Sequence, residues 1–326
     1  MNIFIELLLR RLRVLYLRKH PKTYSLERET DPQKSSDIIY DLLCSPKPCM
    51  IARFGMVEFN CLLNYLGIQA KKINFIGYVK GSALPWWWME KVRFSMMNNA
   101  GFFPTRDEYL DKYSRLLLDD TRYVDVLASW IDDEVLIEKQ LTFTKKIALQ
   151  CLEPFWANLP WTRVLEGKKV LVVHPFASLI EKQYKLHRKQ LFKNPLILPE
   201  FSLSTIQAVQ SMGGTDNGFK TWFDALKWME DEIDKRDYDI CIIGCGAYGF
   251  NLAAHVKRSG KKAIHMGGVT QMLFGIKGKR WEDPNYYVSS HEKAFTYLHL
   301  FNDSWVRPTM EYKPANAMKV EEGCYW

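Results

Sequence analysis

Asp239-Ile240-Cys241-Ile242-Ile243 is an apolar run that stops at a glycine-rich turn, Gly244-Cys245-Gly246-Ala247-Tyr248-Gly249. A helical pattern follows from Phe250 to Ser259. A second run, Lys262 to Met266, is closed by Gly267-Gly268. An apolar stretch without polar alternation fits a strand buried on both faces, as in a parallel sheet. Parallel neighbours need a crossover, and the intervening helix supplies it. The pattern predicts an α/β fold: a Rossmann-like, mostly parallel sheet with helices on both faces.

The rest of the chain is read on that frame. Cys49 to Phe54 is a short apolar run ending at Gly55, so strand then turn. Lys169 to His174 is a clear strand that Pro175 terminates, because proline cannot donate in a ladder. Helices are predicted over 35–43, 58–66, 177–192, 205–211 and 219–235, with further helices across 105–142. Residues 195–199 read as a short extended piece, and 81–104 are rich in aromatics, including Trp86-Trp87-Trp88.

Charge separates the first residues from the body. Residues 1–22 carry net +5 of the chain's +8, so the other 304 residues carry only +3. A nucleic-acid binder carries its basic footprint on the folded domain, so no nucleic-acid partner is expected. Met1 to Tyr16 reads as an amphipathic helix. Phe4, Ile5, Leu8, Leu9, Leu12, Leu15 and Tyr16 fall on one face, and Arg10, Arg13 and Glu6 on the opposite side. It is too short to span a bilayer and lacks a signal peptide's features. Two readings stay open: a membrane-surface contact through residues 1–18, or a helix docked on the body. We divide the chain into an N-terminal helix and connector, 1–34, and a catalytic domain, 35–326. The cysteines, Cys44, Cys49, Cys61, Cys151, Cys241, Cys245 and Cys324, are odd in number and form no C-x-x-C. Reduced thiols and a cytoplasmic location follow, with peripheral attachment to the inner membrane face as an option.

Ligands of parallel sheets sit beyond the carboxyl ends of the strands. Four loops qualify: Gly55–Glu58, His174–Ser178, Gly244–Gly249 and Gly267-Gly268. The third fits G-x-G-x-x-G between strand and helix, which suits an anion. It admits a dinucleotide, S-adenosylmethionine, a nucleoside diphosphate, or a tight turn with no ligand. The first two want an acid at the end of the next strand, where Ile264-His265-Met266 has none. In the first loop Arg53 can clamp a diphosphate and Glu58 can act as a general base or hold a metal. The plain alternative is that the two form a structural ion pair.

Ile51-Ala52-Arg53-Phe54-Gly55-Met56-Val57-Glu58 resembles the "aRfGdgE" signature of glycosyltransferases with the GT-D fold. Downstream, His174-Pro175-Phe176, Gly244–Gly249, His265–Gly268 with Gln271, and Phe274–Trp281 resemble that family and its polysaccharide-cluster relatives. The similarity covers roughly residues 48–285. It implies a nucleotide-sugar donor, with a UDP-sugar favoured, and a growing surface glycan (capsule, O-antigen or exopolysaccharide), free or lipid-linked, as acceptor. On this reading Glu58 is the catalytic base or orients the donor sugar, and donor binding goes to Arg53, Gly55, His174, Pro175, Phe176, Gly244, Gly246, Ala247, Tyr248, Gly249, Gly267 and Gly268. Trp87, Gln271, Lys277, Arg280 and Trp281 are acceptor or phosphate candidates, with Lys182 and Arg188 as further cations. The family's metal motif D-x-E reads Met56-Val57-Glu58 here. Methionine is a poor ligand for Mg²⁺ or Mn²⁺, so metal use is doubtful, and Glu58 is the one ligand if a metal is used. The alternatives are an S-adenosylmethionine- or NAD-dependent enzyme on the same turn, and a non-catalytic nucleotide-binding subunit of a glycan assembly complex.

Overall fold

A computed structural model describes residues 3–22, 26–211, 217–286, 296–312 and 325. Met1, Asn2 and Cys324 lie outside the described residues. Seven strands form one parallel sheet: β1 (Cys49–Ala52), β2 (Val126–Ser129), β3 (Lys145–Ala148), β4 (Lys169–His174), β5 (Ser202–Gln207), β6 (Ile240–Ile243) and β7 (Lys262–His265). Their order is β3-β2-β1-β7-β6-β4-β5.

The helices are α1 (Ile3–Lys19), α2 (Pro32–Cys44), α3 (Met56–Gln69), α4 (Phe75–Lys80), α5 (Glu90–Asn98), α6 (Asp107–Asp120), α7 (Ala177–Leu191), α8 (Trp222–Asp234), α9 (Gly249–Arg258) and the single turn α10 (Thr270–Leu273). They cover both faces of the sheet, and strand alternation divides the core between them. Met50, Ala52, Cys241 and Ile243 pack with Phe59 of α3, Leu110 of α6, Trp222 of α8 and Leu252 of α9. Cys49, Ile51, Ile240 and Ile242 pack with Ile39 of α2 and Ile180 of α7. The predicted architecture, a parallel α/β sheet with an N-terminal helix, is the one observed.

Four local expectations are corrected. Residues 205–211 were expected as helix, but Ser202–Gln207 is an edge strand in six-residue parallel register with β4. An edge strand is buried on few sides, so Ser, Thr and Gln intervene and the continuous apolar signal is lost. Strand β2 sits inside the segment expected as helices. At four residues it is too short to show periodicity. Strand β3 opens on two lysines and was not anticipated. Pro195–Ile197 is a single helical turn rather than an extended piece.

The N-terminal segment is tied to the body through Glu29 and through α1. Glu29 forms a parallel bridge with Ile147, donating its N–H to Lys146 and accepting from Ala148. Helix α1 packs on α4 through Glu6 and Arg13, from the side expected to face away, together with Leu9 from the edge of the expected apolar face. Leu9 and Glu6 are buried, and Arg13 donates to the Tyr78 carbonyl and lies over the Tyr78 ring at 4.8 Å. The rest of the apolar face, Phe4, Ile5, Leu8, Leu12 and Leu15, points outward.

Candidate functional site

A cavity of about 490 Å³ opens at the carboxyl ends of the strands. Every strand sends a residue to it from its carboxyl end or the segment that follows: Arg53, Gly55 and Glu58 after β1, Trp130 after β2, Gln150 after β3, and His174 at the end of β4 with Pro175-Phe176 after it. Gln210 follows β5, Gly244 and Gly246 follow β6, and Gly267, Gly268 and Gln271 follow β7. The size is that of a small-molecule site.

Arg53 leaves β1 beside two supports. Its Cζ lies 5.3 Å from the Trp130 ring centroid. Gly267 also lies beside it: a Cβ built there would sit 3.5 Å from Arg53 Cδ. The Trp130 Nε1–H donates to the Phe54 carbonyl at 2.9 Å, so the indole is tied to the neighbour of the residue it supports. Trp130 is held in turn by buried Glu134, which accepts from the Ser129 hydroxyl and from the Trp130 and Ile131 N–H groups. Burial raises the Glu134 pKa.

Helix α3 starts at Met56, which places Glu58 at its third position. The Glu58 carboxylate folds back over Gly55 into the space a Cβ there would fill. A third-position glutamate folded back in this way lies beside the positive N-terminus of α3, where a carboxylate is favoured. Gly55 is required for that approach and not for its φ, which is −77°.

The glycines of the predicted phosphate turn divide by task. At Gly244 a Cβ would come within 2.6 Å of the Gly267 carbonyl and of Thr270 Oγ1. Its absence lets the β6 and β7 loops close up. Gly246 has φ +57° and Gly267 has φ +70°, a region that costs other residues about 1 kcal/mol or more. Gly249 does not reach the cavity. A Cβ there would collide with the His265 ring, so it serves helix-to-strand packing. Ala247 and Tyr248 are buried away from the cavity. Tyr248 stacks on Trp222 at 4.9 Å and bonds Ser211 at 2.9 Å.

Both cavity histidines are neutral. The Phe176 N–H donates to His174 Nδ1 at 2.9 Å, which leaves the ring proton on Nε2. Burial pushes His174 down to about 3. Burial, with the Arg53 charge beside it, does the same for His265. Among the described lining residues the charges are therefore Arg28, Arg53 and Arg280 against one carboxylate, Glu58. That set fits an anionic ligand. It offers a hard divalent cation one carboxylate, and among the described residues no three His, Cys, Asp or Glu side chains converge on a metal position. The donor set does not by itself make a cation site.

The remaining expectations distribute as follows. Gln271 lines the cavity and also staples the Ile276, Lys277 and Tyr325 carbonyls. Arg280 lies over the Tyr325 ring at 4.7 Å. Trp281 is buried and borders a recess of about 60 Å³ that adjoins the cavity and shares Arg53, Gly268 and Arg280 with it. Lys277 does not line the cavity; its ammonium sits over Phe301. Trp87 is buried under α1, and Trp86–Trp88 line another groove with Glu90 and Arg93. Lys182 is exposed, and Arg188 pairs with Glu200 at 2.7 Å, both away from the cavity.

Arg28, Trp130, Gln150 and Gln210 were not anticipated. Arg28 arrives because Glu29 pairs with the sheet edge, and its Nη1 bonds the Ser129 carbonyl at 2.8 Å. The run Val126–Trp130 carried a usable signal, an apolar stretch ending in an aromatic, but charged neighbours obscured it.

No protein-family model matches the chain, and no curated protein matches it. Solved structures that match include one described as the selenomethionine-substituted structure of domain of unknown function 1792. It is 11% identical with a TM-score of 0.32, covering 94% of this chain and 95% of that one. Another is described as the highly conserved domain of unknown function 1792, with a distinct glycosyltransferase fold. It is 12% identical with a TM-score of 0.31, covering 93% and 95%. Similarity at this level carries no functional weight, and the chemistry rests on the site.

Proposed function

We propose that the chain is a glycosyltransferase of the GT-D type, moving a sugar from a nucleoside-diphosphate donor to a hydroxyl of a growing surface glycan. The observation that carries this is the cavity's composition. Three arginines and glycine-opened backbone surround a space at the strand ends, with a single carboxylate at its edge. A diphosphate leaving group needs such cations, and arginine matches its oxygens bidentately. The order of the motifs around Arg53 and Glu58 favours a nucleotide sugar over other anions.

In this reading Arg53, Arg28 and Arg280 hold the diphosphate, and the loops at Gly244–Gly246 and Gly267-Gly268 let its oxygens approach backbone. The neutral His174 Nε2–H is a donor to the same ligand. Glu58 takes the proton of the acceptor hydroxyl. That oxygen bonds the anomeric carbon as the bond to the diphosphate oxygen breaks, and the diphosphate leaves with the electron pair. With one carboxylate in the site, the arginines take the charge-neutralising role that a metal has in other transferases.

A second reading has one observation in its favour. Glu58 folds back over Gly55 at the positive start of α3, which on this reading is a structural role in a nucleotide-binding subunit without turnover. A thermal-shift panel of UDP, GDP, CMP, S-adenosylmethionine and NAD, followed by UDP-sugar hydrolysis and transfer assays, decides. Stabilisation by UDP with sugar release is expected. Stabilisation by NAD or S-adenosylmethionine instead would reject the glycosyl-transfer reading. UDP binding without sugar release under any metal would favour the subunit.

A further inference from the structure

Helix α1 docks with the wrong face outward for a soluble protein. Its contact with the body uses Leu9, Glu6 and Arg13, while Phe4, Leu7, Leu8, Leu12, Val14 and Leu15 are all 42–77% exposed. Between them lie exposed Arg11, Arg18 and Lys19. The helix's one acid, Glu6, is buried and faces Arg10 at 3.8 Å. The segment packed against α1 repeats the theme. Ile73, Phe75 and Ile76 are at least half exposed, Lys71, Lys72 and Lys80 are exposed, and residues 71–80 contain no acid. A helix exposing this much aliphatic surface needs a partner.

We propose that α1 and the adjoining 71–80 segment form a basic, apolar platform that seats the protein on an anionic lipid surface. The aliphatic side chains enter the acyl boundary, and the cations meet the headgroups. No described helix is long and apolar enough to cross a membrane, so α1 lies in the interface plane. A second copy of the chain is the poorer occupant. In a two-fold contact the same surface faces itself, and six cations with no exposed acid would then oppose their equals. The inference does not depend on the glycosyl-transfer reading, because its readout is binding.

The test is co-sedimentation of the full-length protein with vesicles of phosphatidylcholine alone or containing phosphatidylglycerol. Binding to the anionic vesicles that weakens with salt is expected, with little binding to neutral ones. Leu8→Glu/Leu15→Glu and Arg11→Glu/Arg18→Glu should each weaken it by about tenfold or more, because each removes one of the two contributions. The substituted positions are exposed, so unchanged melting temperatures should accompany the loss. Equal sedimentation with both vesicle types, none with either, or unaffected variants would overturn the proposal. So would a wild-type dimer in velocity sedimentation that Leu8→Glu/Leu15→Glu disperses, since a second copy would then cover the face.

Discussion

The guanidinium of Arg53 rests over the indole of Trp130, 5.3 Å from its centroid, and that indole is bonded to the Phe54 carbonyl. The arginine is thus pre-oriented by a residue from the neighbouring strand. Arg53→Lys keeps the charge but loses the planar fork and the stacking. UDP affinity by calorimetry should fall about tenfold, or about 1.4 kcal/mol, with little change in melting temperature. Trp130→Ala should weaken UDP binding in the same direction while leaving the charge count intact.

Glu58 can be tested for chemistry apart from its packing over Gly55, because glutamine keeps the size and shape and loses the base. Glu58→Gln should lower turnover by about a hundredfold or more while UDP binding and melting temperature stay near wild type. Glu58→Ala should lose turnover equally and also about 0.5 kcal/mol of stability, because a first-turn carboxylate is removed from the helix N-terminus. Retained turnover in Glu58→Gln would remove the catalytic assignment.

The two buried histidines predict acid sensitivity. Both imidazoles stand at about 3 when folded, against an ordinary value of 6.5. Below 6.5 the unfolded chain takes up protons that the native state refuses. Their stability contribution is therefore complete above pH 6.5 and lost as pH falls toward 3. Each histidine adds a slope of about 1.4 kcal/mol per pH unit in that window. Urea titrations between pH 7 and 5 should show the decline, and His265→Asn should reduce it by about half.

Gly249 and Gly260 separate steric from conformational cost. Gly249 is helical, so alanine gains about 1 kcal/mol in propensity, but its Cβ meets the His265 ring. Overpacking costs about 1–3 kcal/mol, so Gly249→Ala should destabilise on balance. Pairing it with His265→Ala should give a non-additive cycle. At Gly260, φ is +85° and nothing lies within 4 Å of a built Cβ. Gly260→Ala should cost about 1 kcal/mol with no coupling to His265.

Much of the frame was legible along the chain. Strands β1, β4, β6 and β7 are buried on both faces, so their apolar runs are continuous and their boundaries came within a few residues. The loops after them were legible too, because Gly and Pro end strands for reasons local to the backbone. Strands β2, β3 and β5 were not. They are short or lie toward the edges, and their polar content reflects which neighbours they lack.

Local sequence determined the parallel α/β class and brought Arg53, Glu58, His174 and the glycine turns into one neighbourhood, because strand ends of one sheet must converge. Tertiary packing decided the rest. It turned Tyr248 onto Trp222, set Gly249 against His265, brought Arg28 and Trp130 to Arg53, and chose which face of α1 to bury. Those outcomes depend on residues far apart in the chain, and no local periodicity encodes the partner across the gap.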